Sequence, residues 1–150
     1  MTSTSRDSAE RPRHAARPGA GPAAADDELA SDSILIERIS QGSSSAFAVL
    51  VDRTSEAVRA EVAASLPGVG RAAEILAASY IEVWWLAGCG GTPKTGARAW
   101  IIGIVRRRIA EASRAIPRPG GGAAMEPRPS YAELEIASLL RRPVDCLQRP

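Results

Sequence analysis

WIIGIVRRRIAEASRAI, residues 100–116, decides the fold. At 100° per residue Trp100, Ile101, Ile104, Val105, Ile109 and Ala112 share one face, the pattern of a helix with one buried side. Arg106, Arg107 and Arg108 are consecutive, so they fan across about 200° of the same helix. They cannot all meet one partner. The segment reads as a helix whose early turns are anchored in a core and whose later turns carry a cationic surface, halted by Pro117.

Upstream, GCGGTPKTG (88–96) holds four glycines and a proline, which suits a loop and neither regular structure. Before it, RAAEILAASYIEVWWLAG (71–88) sets Ile75, Leu76, Tyr80, Val83, Trp84 and Ala87 along one broad face and ends at Gly88. Trp84 and Trp100 read as core fillers, whereas Trp85 lies off the stripe and is the candidate for a surface contact. Earlier still, Phe47, Val51, Val58, Val62 and Leu66 recur at helical spacing until Pro67-Gly68 stops the run. In SDSILIERISQG (31–42) a cap at Ser31 or Asp32 precedes Ile34, Leu35, Ile36 and Ile39, and Gly42 breaks the helix. Alanine supplies much of the 45% hydrophobic content and aromatics only 4%, which favours close helix packing over sheet.

The fold class expected is therefore all-α: a compact bundle of about four helices over residues 32–116. Residues 1–31 are rich in Ala, Pro, Gly and Ser and nearly without large apolar groups, so they read as a disordered tail. Residues 117–130 read as a flexible linker. Ser130 and Glu133 make the S-x-x-E capping box of a short, detached helix within 131–150. Deletion from residue 117 onward is expected to leave the bundle folded.

Composition limits the chemistry. Net charge is only +2, so a polyanion could be met only locally. Locally the charge is concentrated: residues 98–118 carry six arginines against one acid, while 34–93 carry four basic residues against six acidic ones. The single histidine, His14, lies in the tail, and Cys89 and Cys146 have no neighbouring ligand, whereas a zinc site needs about four. No metal, no cofactor and no catalytic residue is expected, and the chain is read as a non-enzyme. The N-terminus lacks the apolar stretch of a signal peptide, and the run Trp100–Val105 falls far short of the roughly 20 residues that span a bilayer. A cytoplasmic protein without membrane contact is the expectation.

The order of three motifs adds a resemblance. LIERISQGSSSAFAVLVDR (35–53), then AAEILAASYIEVWW (72–85), a glycine-rich gap, and ARAWIIGIVRRRIAEASR (97–114) together resemble region two of the extracytoplasmic-function sigma factors of bacterial RNA polymerase. The likeness covers residues 34 to about 116. Its specific parts are Val83-Trp84 and the tract from Trp100 to Arg108.

That resemblance implies a subunit for transcription initiation. The helix from Glu74 would dock on the clamp helices of the polymerase's largest subunit through Glu74, Ala77, Ala78, Ile81, Glu82 and Trp85. The loop and last helix would grip the minus-ten element of promoter DNA and hold a flipped base, with Lys94, Arg98, Arg106, Arg107, Arg108 and Arg114 as the cations along the strand. Ala77 and Ala78 stand where the family carries Gln and Glu, so Ala77→Gln with Ala78→Glu is expected to strengthen docking. SYAELEIASLLRRPV (130–144) resembles the start of the family's region four, and the chain ends before a recognition helix; a truncated or divergent member is the expectation. The alternative is a sigma-like interaction module that binds an anti-sigma factor or another regulator without opening promoters.

Overall fold

A computed structural model describes residues 22–66, 69–90, 93–114 and 128–147. Among them the protein is all-α, with six helices: α1 (Pro22–Leu29), α2 (Asp32–Ser40), α3 (Ser44–Ser65), α4 (Val69–Gly88), α5 (Ala97–Arg114) and α6 (Tyr131–Leu140). The helix starts follow local chemistry. Ser31 caps α2 by accepting from the Ile34 amide, and Ser43 caps α3 by accepting from that of Ala46. Gly42, at φ 86°, makes the turn between them in the left-handed region.

Helix α3 touches all five other helices, and α4 touches α2, α3, α5 and α6. The expected stripes are buried: Ile75, Leu76, Tyr80, Val83 and Ala87 on α4, Phe47, Val51, Val58 and Val62 on α3, and Ile101, Ile104, Val105 and Ile109 on α5. Trp84 sits half-buried with its ring edge-on to Phe47, centroids 5.2 Å apart and planes at 63°. The Tyr80 hydroxyl, fully buried, lies 2.9 Å from that of Thr54, which also donates to the Leu50 carbonyl at 2.7 Å. Burial outweighs that hydrogen bond and pushes the Tyr80 pKa up to about 12.

Two expectations about the ends are corrected. Residues 22–29, assigned to a disordered tail, form α1, and polar contacts hold it in place. Asp27, only 2% exposed, accepts from Arg38 and, at 2.7 Å, from the Ser45 hydroxyl. Arg53 donates to the carbonyls of Glu28 at 2.6 Å and Ala30 at 2.7 Å, and to Asp32 at 3.1 Å. One guanidinium thus serves the otherwise unpaired C-terminal carbonyls of α1 and ties them to α2. Residues 1–21 lie outside the described residues.

Nor is the last helix detached. Its capping box forms as read from Ser130 and Glu133, but α6 lies against α4 and α3. Ile136, Ala137, Leu140 and Leu147 are buried, while Tyr131 and Leu134 stay exposed. Arg141 ends the helix at φ 51°, and the neighbouring Arg142 pairs bidentately with Asp52 of α3, Nη1 to Oδ1 at 2.5 Å and Nη2 to Oδ2 at 2.7 Å. The apolar pattern of α6 needs a partner surface, and α4 supplies it. The expected linker lies largely in 115–127, outside the described residues.

Candidate functional site

Helix α4 sorts its expected docking residues by face. Glu74, Ala78, Ile81 and Trp85 recur at i, i+4, i+7 and i+11, which places them on one side of a helix. Glu74 and Trp85 are exposed there, Trp85 by 61%, and Ala78 and Ile81 are half-exposed. The stripe combines an acid, two apolar steps and an open indole, beside a groove of about 270 Å³ lined by Glu74, Ala78, Arg108 and Glu111.

Ala77 does not join it. It is fully buried, one helical step inward, so it offers no surface to a partner and no room for glutamine. Glu82 also leaves the stripe: it turns toward α5, where its Oε1 accepts from Arg107 and its Oε2 from Arg108 at 2.9 Å.

The arginine block therefore divides, as its 200° fan requires. Arg107 and Arg108 face α4 and share Glu82, and Arg107 also lies 4.0 Å from Glu111. Arg106 faces α3 and pairs with Glu61, Nε to Oε1 at 2.7 Å. That guanidinium holds the Glu61 carboxyl below the usual carboxylate range, chiefly through the hydrogen bond. All three arginines of the block, half of the six side chains assigned to DNA, are thus engaged within the molecule.

Lys94, Arg98 and Arg114 differ. All three are exposed, and none makes an ion pair with another described residue. Arg98 lines an open cleft of about 540 Å³ at the N-terminal end of α5, with Thr95, Gly96, Ala99, Ile102, Gly103 and Arg106, and with Asp32 from α2. Arg98, Ile102 and Arg106 follow one another at i, i+4 and i+8, a single stripe along the cleft. Gly96 closes the preceding loop at φ 79°, a conformation that glycine adopts without strain. The cleft thus joins small, flat walls to cationic donors.

Comparison with known proteins adds a relative. Over 138 residues the chain is 30% identical to the "ECF RNA polymerase sigma factor SigK" of Mycobacterium ulcerans (strain Agy99), a match covering 85% of this chain and 71% of the relative. The chain belongs to the extracytoplasmic-function sigma factor family. A match this long reaches beyond residues 34–116, so the kinship of this sigma factor family member extends past the motifs that first carried the resemblance. No family model and no solved structure matches the chain. Among the described residues of this sigma-family chain, no helix is long and apolar enough to cross a membrane, and no group of His, Cys, Asp or Glu could hold a metal ion.

Sequence reasoning missed Asp32 as a cleft residue, and it missed Glu61 and the second role of Glu82 as counter-charges. Asp32 drew attention only as a helix cap. Nothing in spacing could pair Glu61 with Arg106, since the partners are 45 residues apart.

Proposed function

We propose that this chain acts in transcription initiation by binding: α4 docks on a helical surface of core RNA polymerase, and the α5 cleft takes single-stranded promoter DNA at the minus-ten element. The observation that carries the reading is the pair of open surfaces on adjacent helices. On α4 it is the stripe Glu74, Ala78, Ile81 and Trp85. On α5 it is Arg98, with Lys94 in the loop before it, both exposed and without an ion pair among the described residues.

Each surface suits its partner. A stripe at i, i+4, i+7 and i+11 fits a helix laid along it, and an exposed tryptophan is a frequent anchor of such contacts. Exposed cations beside small-residue walls suit a strand whose bases are turned inward. Arg107 and Arg108 take a different part from the one their charge suggested: through Glu82 they fix α5 to the helix that docks, which holds the cleft in register with the polymerase. Co-purification of the full chain with core polymerase tests the reading. Trp85→Ala should reduce recovery of polymerase at least tenfold while the chain stays folded, and unchanged recovery would count against it.

The second reading, an interaction module that binds an anti-sigma factor or other regulator without opening promoters, draws on the engagement of all three block arginines by Glu61 and Glu82. It predicts polymerase or regulator binding with no affinity for single strands.

A further inference from the structure

Helix α1 lies along α3 and precedes the stretch that carries the family motifs. Polar groups hold it. Among its described side chains no large apolar one is buried, and Leu29 is 91% exposed. The small Ala30 just beyond the helix is buried. Asp27 is the side-chain anchor, accepting from Arg38 and from the Ser45 hydroxyl. Arg53 is the backbone anchor. Its Nη1 donates to the Ala30 carbonyl at 2.7 Å and to Asp32 at 3.1 Å, and its Nη2 to the carbonyls of Glu28 at 2.6 Å and Asp27 at 3.5 Å. The two Nη atoms carry four hydrogens, so all are committed, three of them to the end of α1.

We propose that α1 is an autoinhibitory clasp: docked, it occupies the Arg53 guanidinium, and its detachment turns Arg53 into a phosphate donor for the bound strand. The inference rests on the proposed binding of single-stranded DNA and adds its control. Three observations carry it. A helix that buries no large apolar side chain can leave without opening the core, because water replaces the polar contacts it gives up. The guanidinium it leaves behind has the paired Nη donors that suit a phosphate, and carbonyl oxygens stand in for that phosphate while α1 is docked. Arg53 is also one side chain away from the α5 cleft, since Asp32, its remaining partner, lines that cleft. The segment that departs carries Asp26, Asp27 and Glu28 in succession, so its release removes acids from the face to which it adds a donor.

The test combines fluorescence anisotropy of the full chain on a labelled, A/T-rich single strand with hydrogen exchange at the amides of residues 26–30. Asp27→Ala, and Asp27→Asn as the variant of unchanged shape, should speed that exchange, while protection at the centre of α4 reports that each remains folded. Both should bind the strand more tightly, by about fivefold near 0.1 M salt when α1 is mostly detached, the factor that one further phosphate contact with a slope of about 0.7 supplies there. Adding Arg53→Ala to either should keep the fast exchange and return the affinity to that of the parent. Asp26→Ala removes the same charge from an exposed side chain and should alter neither reading. Linkage is reciprocal, so saturating strand should in turn speed exchange at 26–30 in the parent. Unchanged exchange in both Asp27 variants, faster exchange without tighter binding, equal tightening by Asp26→Ala, or tightening that survives Arg53→Ala overturns the inference and leaves the DNA-binding reading intact. Failure of the parent and every variant to bind any strand removes both.

Discussion

Arg106 and Glu61, 45 residues apart in the chain, are joined by two hydrogen bonds, Nε to Oε1 at 2.7 Å and Nη2 to Oε2 at 3.2 Å. A strong positive charge in the sequence is therefore muted in the fold, and Glu82 mutes the other two arginines of the block. Charge that is already paired and charge that is free should answer differently to salt. Lys94→Ala and Arg98→Ala should each flatten the salt dependence of single-strand binding by about 0.7 in the log–log slope. Arg107→Ala and Arg108→Ala should leave it nearly unchanged. Glu82→Gln, by releasing two guanidinium groups, should steepen it. Equal slopes for all five variants would show that none of these side chains meets the strand.

The buried position of Ala77 reverses an expectation drawn from the family pattern. Ala77→Gln would force a longer, polar side chain into a packed interior, at a cost of about 1–3 kcal/mol from overpacking alone. The expected outcome is a lower melting temperature and no gain in polymerase binding. Ala78→Glu, on the half-exposed stripe beside Glu74, should be tolerated by the fold. Chemical denaturation of each single variant separates the two effects.

Removal of residues 128–150 should unfold the domain or nearly so. Burial of Ile136, Leu140 and Leu147 is worth about 1.5–3 kcal/mol apiece, a sum comparable with the whole stability of a small domain. Circular dichroism of the truncated chain reads this directly. A cooperative melt within a few degrees of the parent would mean that α6 adds little to the core. Arg142→Ala, which breaks the pair with Asp52 alone, should cost only about 1 kcal/mol.

Tyr80 sets an alkaline limit. Its folded pKa of about 12 lies above the unfolded value of 10.0, so the proton is held more tightly in the native state. Stability from this group is complete below pH 10, falls as the unfolded chain ionises, and is lost by about pH 12. Two pKa units correspond to about 3 kcal/mol. Tyr80→Phe should remove that decline, at a cost near neutral pH of about 1 kcal/mol for the lost contact with Thr54. Urea midpoints measured at pH 8 and pH 11 for both proteins check the slope.

Asp27→Ala should loosen α1, because Arg38 and Ser45 would lose a shared acceptor that is almost wholly buried. A loss of about 2 kcal/mol is expected. Faster hydrogen exchange should appear at the amides of the residues around Ala30 while the centre of α4 stays protected.

The bundle was readable in the sequence where burial leaves a period. Ile101, Ile104, Val105 and Ile109 announce α5, and Tyr80 and Val83 announce the inner face of α4, because a helix must hide its apolar side. Helix α1 left no such trace. Its anchor, Asp27, is a charged residue in an alanine-rich stretch, and what orders it is a network drawn from Arg38, Ser45 and Arg53 far along the chain. The same holds for the candidate site. Residue type and spacing identified the cations, but whether an arginine is free or spent depends on Glu61 and Glu82, which tertiary packing alone brings near. Ala77 illustrates the converse: motif alignment marked its position, and only the helical phase of α4 against its four neighbours showed that it faces inward.

The pairing of Arg142 with Asp52, across 90 residues of sequence, has a bearing on how the molecule comes to exist. Contacts among α2, α3 and α4 join neighbours in the chain and can form early, whereas those of α6 close the longest loop in the described fold and pay the largest closure entropy. A chain made from its N-terminus exposes the α4 surface that α6 will cover throughout the synthesis of α5 and the segment beyond it. Helix α6, which leaves the ribosome after the other five described helices, is then the one that covers the α4 surface, so slow translation of the stretch between α5 and α6, or a stop codon within it, would yield a sticky, unfinished bundle rather than a smaller stable one.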